Sequence, residues 1–385
     1  MTYNLTETQE FKLVCSLLGN KTPSTNLSTL NWEKISAIAL DHRVVGHILE
    51  NPSSKEYIPA QILLKLKSVF ENQQVRSKKL QFEQNMIQAL LKSNNIRPVI
   101  LKGPALSGML YGDPTIRPAG DLDWLIPIGN VIEADSAMKS KGYQEKNTKI
   151  GLDQYTWKLI RSSKHELVYI HPITQQMNEI HWRLYRLNSV FPWQLSDEMF
   201  ARSQDIKIGQ ESFSMLSPSD LFIYLCHHGC RHRWISLHWL MDIQQMLLAG
   251  DQYYNSNTKL IARKYGLGES IELALALCQR FFDTPIETSH LSKKQLWLQN
   301  ETLKSINTPK HLAQQVINEN FSFGNLLFFH KLRTSPALLV EHMWMMWNDP
   351  NDWVEIKLPH SLFWLYPTLK PILWFKRKIR NFRVR

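Results

Sequence analysis

Apolar positions in the first hundred residues recur at the spacing of one helix face. Leu13, Leu17 and Leu18 form one stripe, Trp32, Ile35, Ile38 and Ala39 a second, and Val44, Val45 and Ile48 a third. Over residues 72–93, Leu80, Ile87, Leu90 and Leu91 mark the buried side of a long amphipathic helix. At residues 98–101 the pattern changes to a short unbroken apolar run, the length of one buried strand, which stops at Lys102-Gly103. Helical spacing returns with Ala105, Leu106, Met109 and Leu110, and must end near Gly112-Asp113-Pro114, since proline cannot continue a helix. Arg117 follows in a loop, and 121–126 reads as a second strand. Residues 132–141 read as a helix closed by Gly142. Three strand-like runs come next, 155–160, 166–170 and 178–184, the last two joined by a loop of hairpin length. From Leu216 the periodicity is helical again, opened by the start signal Ser217-Pro218-Ser219-Asp220 and continuing through 221–230, 237–248 and 260–282. Residues 325–339 and 342–347 are apolar and aromatic.

The chemistry gathers where these strands begin and end. Asp121 and Asp123 are two apart in a strand, so their carboxylates point the same way while Leu122 and Trp124 point into apolar packing. Two such acids repel unless a positive charge sits between them, and Mg²⁺ is a usual partner for carboxylates and phosphates. A lone Asp-x-Asp favours a strand edge with two solvated acids; the preceding strand, Lys-Gly turn, helix and Arg117 shift the balance to a site. In the run at 178–184, Glu179, His181 and Arg183 share one face and Ile180, Trp182 and Leu184 the other.

Lys102-Gly103…Leu106…Tyr111…Arg117…Gly120-Asp121-Leu122-Asp123-Trp124-Leu125 resembles the signature of the uncharacterised nucleotidyltransferase family, within the DNA-polymerase-β-like nucleotidyltransferase superfamily. The superfamily's usual Gly-Gly or Gly-Ser turn is here Lys102-Gly103-Pro104, the variant typical of that family. Trp32…Ala39…His42…Val45 is similar to its helical lead-in, with His42 read as a packed or capping histidine. Glu179-Ile180-His181-Trp182 matches its Glu-x-His-Trp motif, and His228-Gly229-x-x-His232-x-Trp234…Trp239-Leu240-x-Asp242 its second block. The segment 358–375 is similar to its closing block, with Lys370 where arginine is usual.

The resemblance implies an α+β fold: a polymerase-β-like core, a small mixed sheet with helices, embedded between N-terminal and C-terminal helical regions. The expected divisions are a helical region 1–97, the nucleotidyltransferase core 98–200, a helical substrate and nucleotide-cleft region 201–300, and a helical region 301–385 with a basic tail. It implies transfer of a nucleoside monophosphate from an NTP to an acceptor hydroxyl, with release of pyrophosphate. Asp121, Asp123 and Glu179 would be the catalytic acids and would share two Mg²⁺ ions, or Mn²⁺. Lys102, Gly103 with the amides after it, and Arg117 would hold the triphosphate. His181, His228, His232 and Asp242 are candidate substrate residues; His181 either touches substrate or orients Glu179, and His228, His232 and Asp242 either line the cleft near the acceptor or make simple buried hydrogen bonds, with Asp242, inside an apolar helix, wanting a partner. The acceptor stays open among a sugar, a small metabolite, a peptide and a protein.

Composition narrows this picture. Four scattered cysteines (Cys15, Cys226, Cys230, Cys278) make no disulfide framework. Cys226, Cys230, His228 and His232 invite a zinc reading, but the two i, i+4 pairs lie about 200° apart on a helix, so one ion collects all four only if the helix breaks. No signal peptide and no apolar run long enough to span a bilayer is evident, which gives the expectation of a cytoplasmic protein. The net charge of +11 owes much to residues 376–385, read as a solvated tail able to meet nucleic acid or an anionic membrane. Two other readings use the same residues. An Asp-x-Asp nucleotide-sugar glycosyltransferase would need a nucleotide-binding βαβ unit ahead of the motif, where this chain reads as helical. A non-catalytic nucleic-acid-binding protein on the same scaffold would need no acids, yet all three are present.

Overall fold

The computed structural model of the protein describes residues 4–19, 26–146, 152, 154–286, 291–318, 323–347, 352–353, 356 and 358–382. Its N-terminal helices begin where polar caps meet apolar stripes. The Thr8 side chain accepts from Phe11 N at the start of Gln9–Leu18, and Asn31 accepts from Lys34 N at the start of Trp32–Asp41. The long helix begins earlier than the periodicity suggests and runs Ala60–Ser93 after Pro59. It buries Leu66, Phe70, Leu80, Ile87 and Leu91, and also the polar side chains Glu83, Gln84 and Gln88. Those polar groups stitch the helix to the sheet. Glu83 accepts from Tyr143 and from Asn178 Nδ2 (3.2 Å), Gln84 accepts from Ala105 N (3.2 Å), and Gln88 Nε2 donates to the Ser212 carbonyl (3.0 Å).

Seven strands form one mixed sheet: β1 (Val99–Ile100), β2 (Asp121–Leu125), β3 (Gln144–Glu145), β4 (Glu166–Ile170), β5 (Met177–His181), β6 (Gln204–Ile208) and β7 (Glu211–Met215). Their order is β3-β4-β5-β2-β1-β7-β6. β2 pairs parallel with β5, putting Asp123 opposite Glu179, and β4 pairs antiparallel with β5, putting Glu166 opposite His181. The fold is therefore α+β, with helices flanking a mixed sheet. The sheet reaches Met215, past the core boundary expected at residue 200. The hairpin β6–β7, not anticipated from the sequence, turns on Gly209 at φ +63°.

One expected strand is a helix. Residues 155–160 lie within the helix Gln154–Ser163. Thr156, Trp157, Ile160 and Ser163 are all buried, a helical stripe rather than a strand's alternation. Tyr155, Thr156 and Trp157 favour strands intrinsically, and packing overrode that preference.

Beyond the sheet, Ser217 caps the helix Pro218–Arg231, with Pro218 in the first turn. Arg233 and Trp234 then both adopt left-handed backbone (φ +48° and +50°), folding the Trp234 ring back onto Gly229. A Cβ at Gly229 would lie 2.3 Å from that ring, so only glycine admits it. The helices Leu237–Leu248 and Gly268–Phe282 add their buried faces to the core, in which Trp234 is fully buried. Near the C-terminus the helix Tyr366–Phe382 carries on through most of the basic run expected as a tail, and residues 383–385 lie outside the described residues. Among the described residues no helix is long and apolar enough to cross a membrane.

Candidate active site

Strand pairing assembles the site. Asp123 on β2 and Glu179 on β5 are direct neighbours, and His181 follows Glu179 by two, so all three project from one face. Trp124 and Ile180 are register partners on the other face, where Trp124 Nε1 donates to Asn178 Oδ1 (3.1 Å). On the near face His181 Nε2 lies 3.3 Å from Asp123 Oδ1 and 3.4 Å from Glu179 Oε2. Its Nδ1 lies 3.2 Å from Glu166 Oε2, which is also 3.2 Å from His165 Nε2. Lys102, just after β1, puts its Nζ 3.1 Å from Asp123 Oδ1.

The electrostatics follow from burial and this alternation of sign. Burial works against the Asp123 carboxylate, but the Lys102 ammonium and His181 outweigh it and hold the carboxyl well below its ordinary range. Burial likewise opposes charge on Lys102, which Asp123, Asp121 and Glu179 restore and raise. Asp121 is pushed up by burial and by the charge of Asp123. Glu179 is pushed up by burial and by its acidic neighbours Asp123 and Glu166. His181 is raised to about 10, against burial, by Glu166, Asp123 and Glu179. Among the described residues, two groups bring three His, Cys, Asp or Glu ligand atoms within 4.8 Å of one another: Asp123–Glu179–His181 and His165–Glu166–His181. Asp121 sits on the same face of β2 but outside both groups, among the charges of Asp123, Lys102, Arg117 and Arg43. Cys226 and Cys230 belong to neither group, so the zinc reading of that helix finds no ligand cluster.

Other expected residues have different company. Arg117 Nε donates to both oxygens of Asp242 (3.0 and 2.7 Å), and Tyr111 OH donates to Asp242 Oδ1 (3.0 Å). Burial opposes the Arg117 charge, but Asp242 outweighs it and holds the guanidinium above its ordinary value. Asp242 thus has the buried partner that its place in an apolar helix called for. The loop carrying Arg117 is pinned by Ser107, whose hydroxyl donates to the Asp113 carbonyl (2.6 Å) and accepts from Arg117 N (3.1 Å). Gly103 has φ +88°, and a Cβ there would meet Leu122 at 3.2 Å. The amides after it are mostly committed: Pro104 has no N–H, and Ala105 donates to Gln84.

The helix Pro218–Arg231 and the turn after it supply the other wall. His228 and His232 pack ring to ring (4.7 Å) against Trp239, and burial, with the charges of Lys102 and Arg231, holds both well below the ordinary histidine value. They are neutral groups near the site. The charges of Glu166 and Glu179 act on Arg231, whose guanidinium lies over the Tyr185 ring, that of Lys102 acts on Tyr224, and that of Asp121 acts on Arg43. His165, Glu166, Arg43, Arg231 and Tyr224 escaped the sequence reading. The one available signal was an acid and a histidine opening the otherwise apolar run Leu167–Ile170.

The glycosyltransferase alternative fails on topology. Ahead of β2 the described residues form helices and the short β1, which pairs antiparallel with β2, so no parallel βαβ unit precedes the motif. A family model described as uncharacterised nucleotidyltransferase matches residues 28–283, which leaves the similarity noted at 358–375 outside the match. No curated protein and no solved structure matches the chain.

Proposed function

The chain belongs to the uncharacterised nucleotidyltransferase family, and on that premise we propose that it moves a nucleoside monophosphate from an NTP to an acceptor hydroxyl in a divalent-metal-dependent reaction. The observation that carries this reading is the parallel register that sets Asp123 beside Glu179, with Lys102 Nζ 3.1 Å from Asp123. The donor set fits magnesium: the acids offer oxygen ligands, and Asp123 Oδ2 is buried without a hydrogen-bond partner. Asp121, Asp123 and Glu179 would hold the ions. Bound there, Mg²⁺ supplies charge neutralisation at the phosphates and lowers the pKa of an attacking oxygen.

The protein's own groups do the remainder. The acceptor oxygen attacks the α-phosphorus, the bond to the β-bridging oxygen breaks, pyrophosphate departs, and the acceptor's proton passes to a Glu179 oxygen. Lys102, Arg43 and Arg231 line the acidic row and meet the negative charge that grows on the leaving pyrophosphate. Gly103 lets the backbone approach closely where a Cβ would crowd Leu122. His181 Nε2 braces Asp123 and Glu179. Arg117, paired with Asp242, acts as a positioning residue for the loop before β2. The chemistry calls for an acceptor hydroxyl and leaves a sugar, a metabolite, a peptide or a protein as the candidates.

The test is transfer of label from α-³²P-NTPs, with pyrophosphate release, by wild type and by Asp121→Asn and Asp123→Asn. Both variants should fold and lose at least about a hundredfold in rate. Wild-type turnover in both would overturn the assignment.

A further inference from the structure

The group His165–Glu166–His181 stands beside the acidic row; the proposed transfer uses only the Nε2 side of His181, and gives no role to His165, Glu166 or His181 Nδ1. His165 lies just ahead of β4, Glu166 opens β4, and His181 ends β5 as the register partner of Glu166. The Trp182 amide donates to the His165 carbonyl (3.0 Å), fixing His165 against the end of β5. The His165 and His181 side chains are 8 % and 5 % exposed, while Glu166 is 20 % exposed and forms the open side. His165 Nε2, Glu166 Oε2 and His181 Nδ1 are buried and make no aligned hydrogen bond, although Glu166 Oε2 is 3.2 Å from both nitrogens. Three buried polar atoms at close range without aligned hydrogen bonds can share one centre, and an ion there displaces the proton that Glu166, Asp123 and Glu179 hold on His181. Ligands about 2.0–2.1 Å from a tetrahedral ion lie about 3.3 Å apart, close to the separations seen.

We propose that His165, Glu166 and His181 bind one first-row transition-metal ion, with Zn²⁺ the best fit, at a site separate from the carboxylate site. Two imidazoles and one carboxylate suit a borderline ion and leave a fourth position open; Mg²⁺ prefers oxygen. The ligand atoms of all three residues lie within 4.8 Å of one another. His181 links the two sites. With Nδ1 on the ion, its Nε2–H donates towards Asp123 and Glu179, 3.3 and 3.4 Å away. The ion would thus fix the orientation of the acidic row without touching nucleotide. The charge of Arg231 also acts on Glu166 and competes with a dication for that carboxylate.

The test reads metal rather than turnover, so it stands whether or not the protein transfers nucleotides. Full-length protein stripped with chelator is equilibrated with Zn²⁺ in millimolar Mg²⁺ and gel-filtered. Zinc per chain is then read by mass spectrometry, and affinity by competition with a chromophoric chelator. One zinc per chain is expected. His165→Gln and the near-isosteric Glu166→Gln should each weaken binding at least about tenfold, with circular dichroism reporting that they fold. Arg231→Gln should tighten it several-fold, Asp121→Asn should leave it unchanged, and Glu179→Gln, which keeps an acceptor oxygen for His181 Nε2–H, should weaken it less than either ligand variant. Zinc lost on gel filtration, displaced by Mg²⁺, or bound equally by wild type and both ligand variants would overturn the proposal. So would loss in Glu179→Gln with retention in His165→Gln, which would put the ion on the acidic row instead.

Discussion

Replacing Asp242 with alanine removes the acceptor for the buried Arg117 guanidinium and the half-buried Tyr111 hydroxyl at once. Arg117 Nε lies 3.0 and 2.7 Å from its two oxygens, the Tyr111 hydroxyl 3.0 Å from one, and the ion-paired side chains are 4 % and 1 % exposed. The substitution leaves a guanidinium uncompensated in the interior, which costs about 3–5 kcal/mol. At about 2.1 cal/mol/K per residue, a chain of this length unfolding as one unit has an unfolding entropy of about 0.8 kcal/mol/K, so the melting temperature should fall by about 4–6 °C. Removing both charges, as Arg117→Met with Asp242→Leu, should recover most of that loss, because apolar groups of similar volume need no partner. Thermal melts followed by circular dichroism give the stabilities, and NTP titration of the double variant gives the binding. An Asp242→Ala protein melting within about a degree of wild type would refute the buried-pair account. A double variant that melts normally but no longer binds NTP would show that Arg117 touches the nucleotide rather than positioning its loop.

Other outcomes follow from the same geometry. Burial pushes His42, His47 and His227 each down to about 3 in the folded protein, against about 6.5 when unfolded. The unfolded chain therefore binds more protons below pH 6.5, and stability should fall as pH drops through that value, by about 1.4 kcal/mol per pH unit for each histidine; denaturation midpoints unchanged between pH 7 and pH 5 would contradict this. Gly229→Ala drives a Cβ to 2.3 Å from the Trp234 ring and should cost about 3 kcal/mol, with a red shift in tryptophan emission as the ring is displaced. Gly103→Ala forces a side chain onto φ +88° against Leu122; it should lower stability by about 1–2 kcal/mol and raise the KM for NTP, and an unchanged KM would remove the turn from the nucleotide contact.

Local pattern carried much of this architecture. The strand at Asp121–Leu125, the hairpin from Glu166 to His181 and the capped helix at Pro218 lie where period and punctuation indicate. That Asp123 and Glu179 meet is a matter of which strands pair, and the resemblance supplied it where spacing could not. Long-range partners stayed hidden for the same reason. Nothing in the run around Asp242 names Arg117, and nothing in Glu166 names His181. Residues 155–160 misled because strand-favouring side chains can still present a helical stripe to a core. The β6–β7 hairpin was legible in principle, from Ile206 and Ile208, then Phe213 and Met215, alternating about Gly209-Gln210.

The helix Ala60–Ser93 has a mechanical consequence. Gln73 holds the carbonyls of Thr115 and Ile116, and Gln88 holds the carbonyl of Ser212. Fifteen residues of helix separate those anchors, about 22 Å of stiff rod. The rod clamps the back of the sheet from the Arg117 loop to the outer hairpin, so that side has little freedom to breathe.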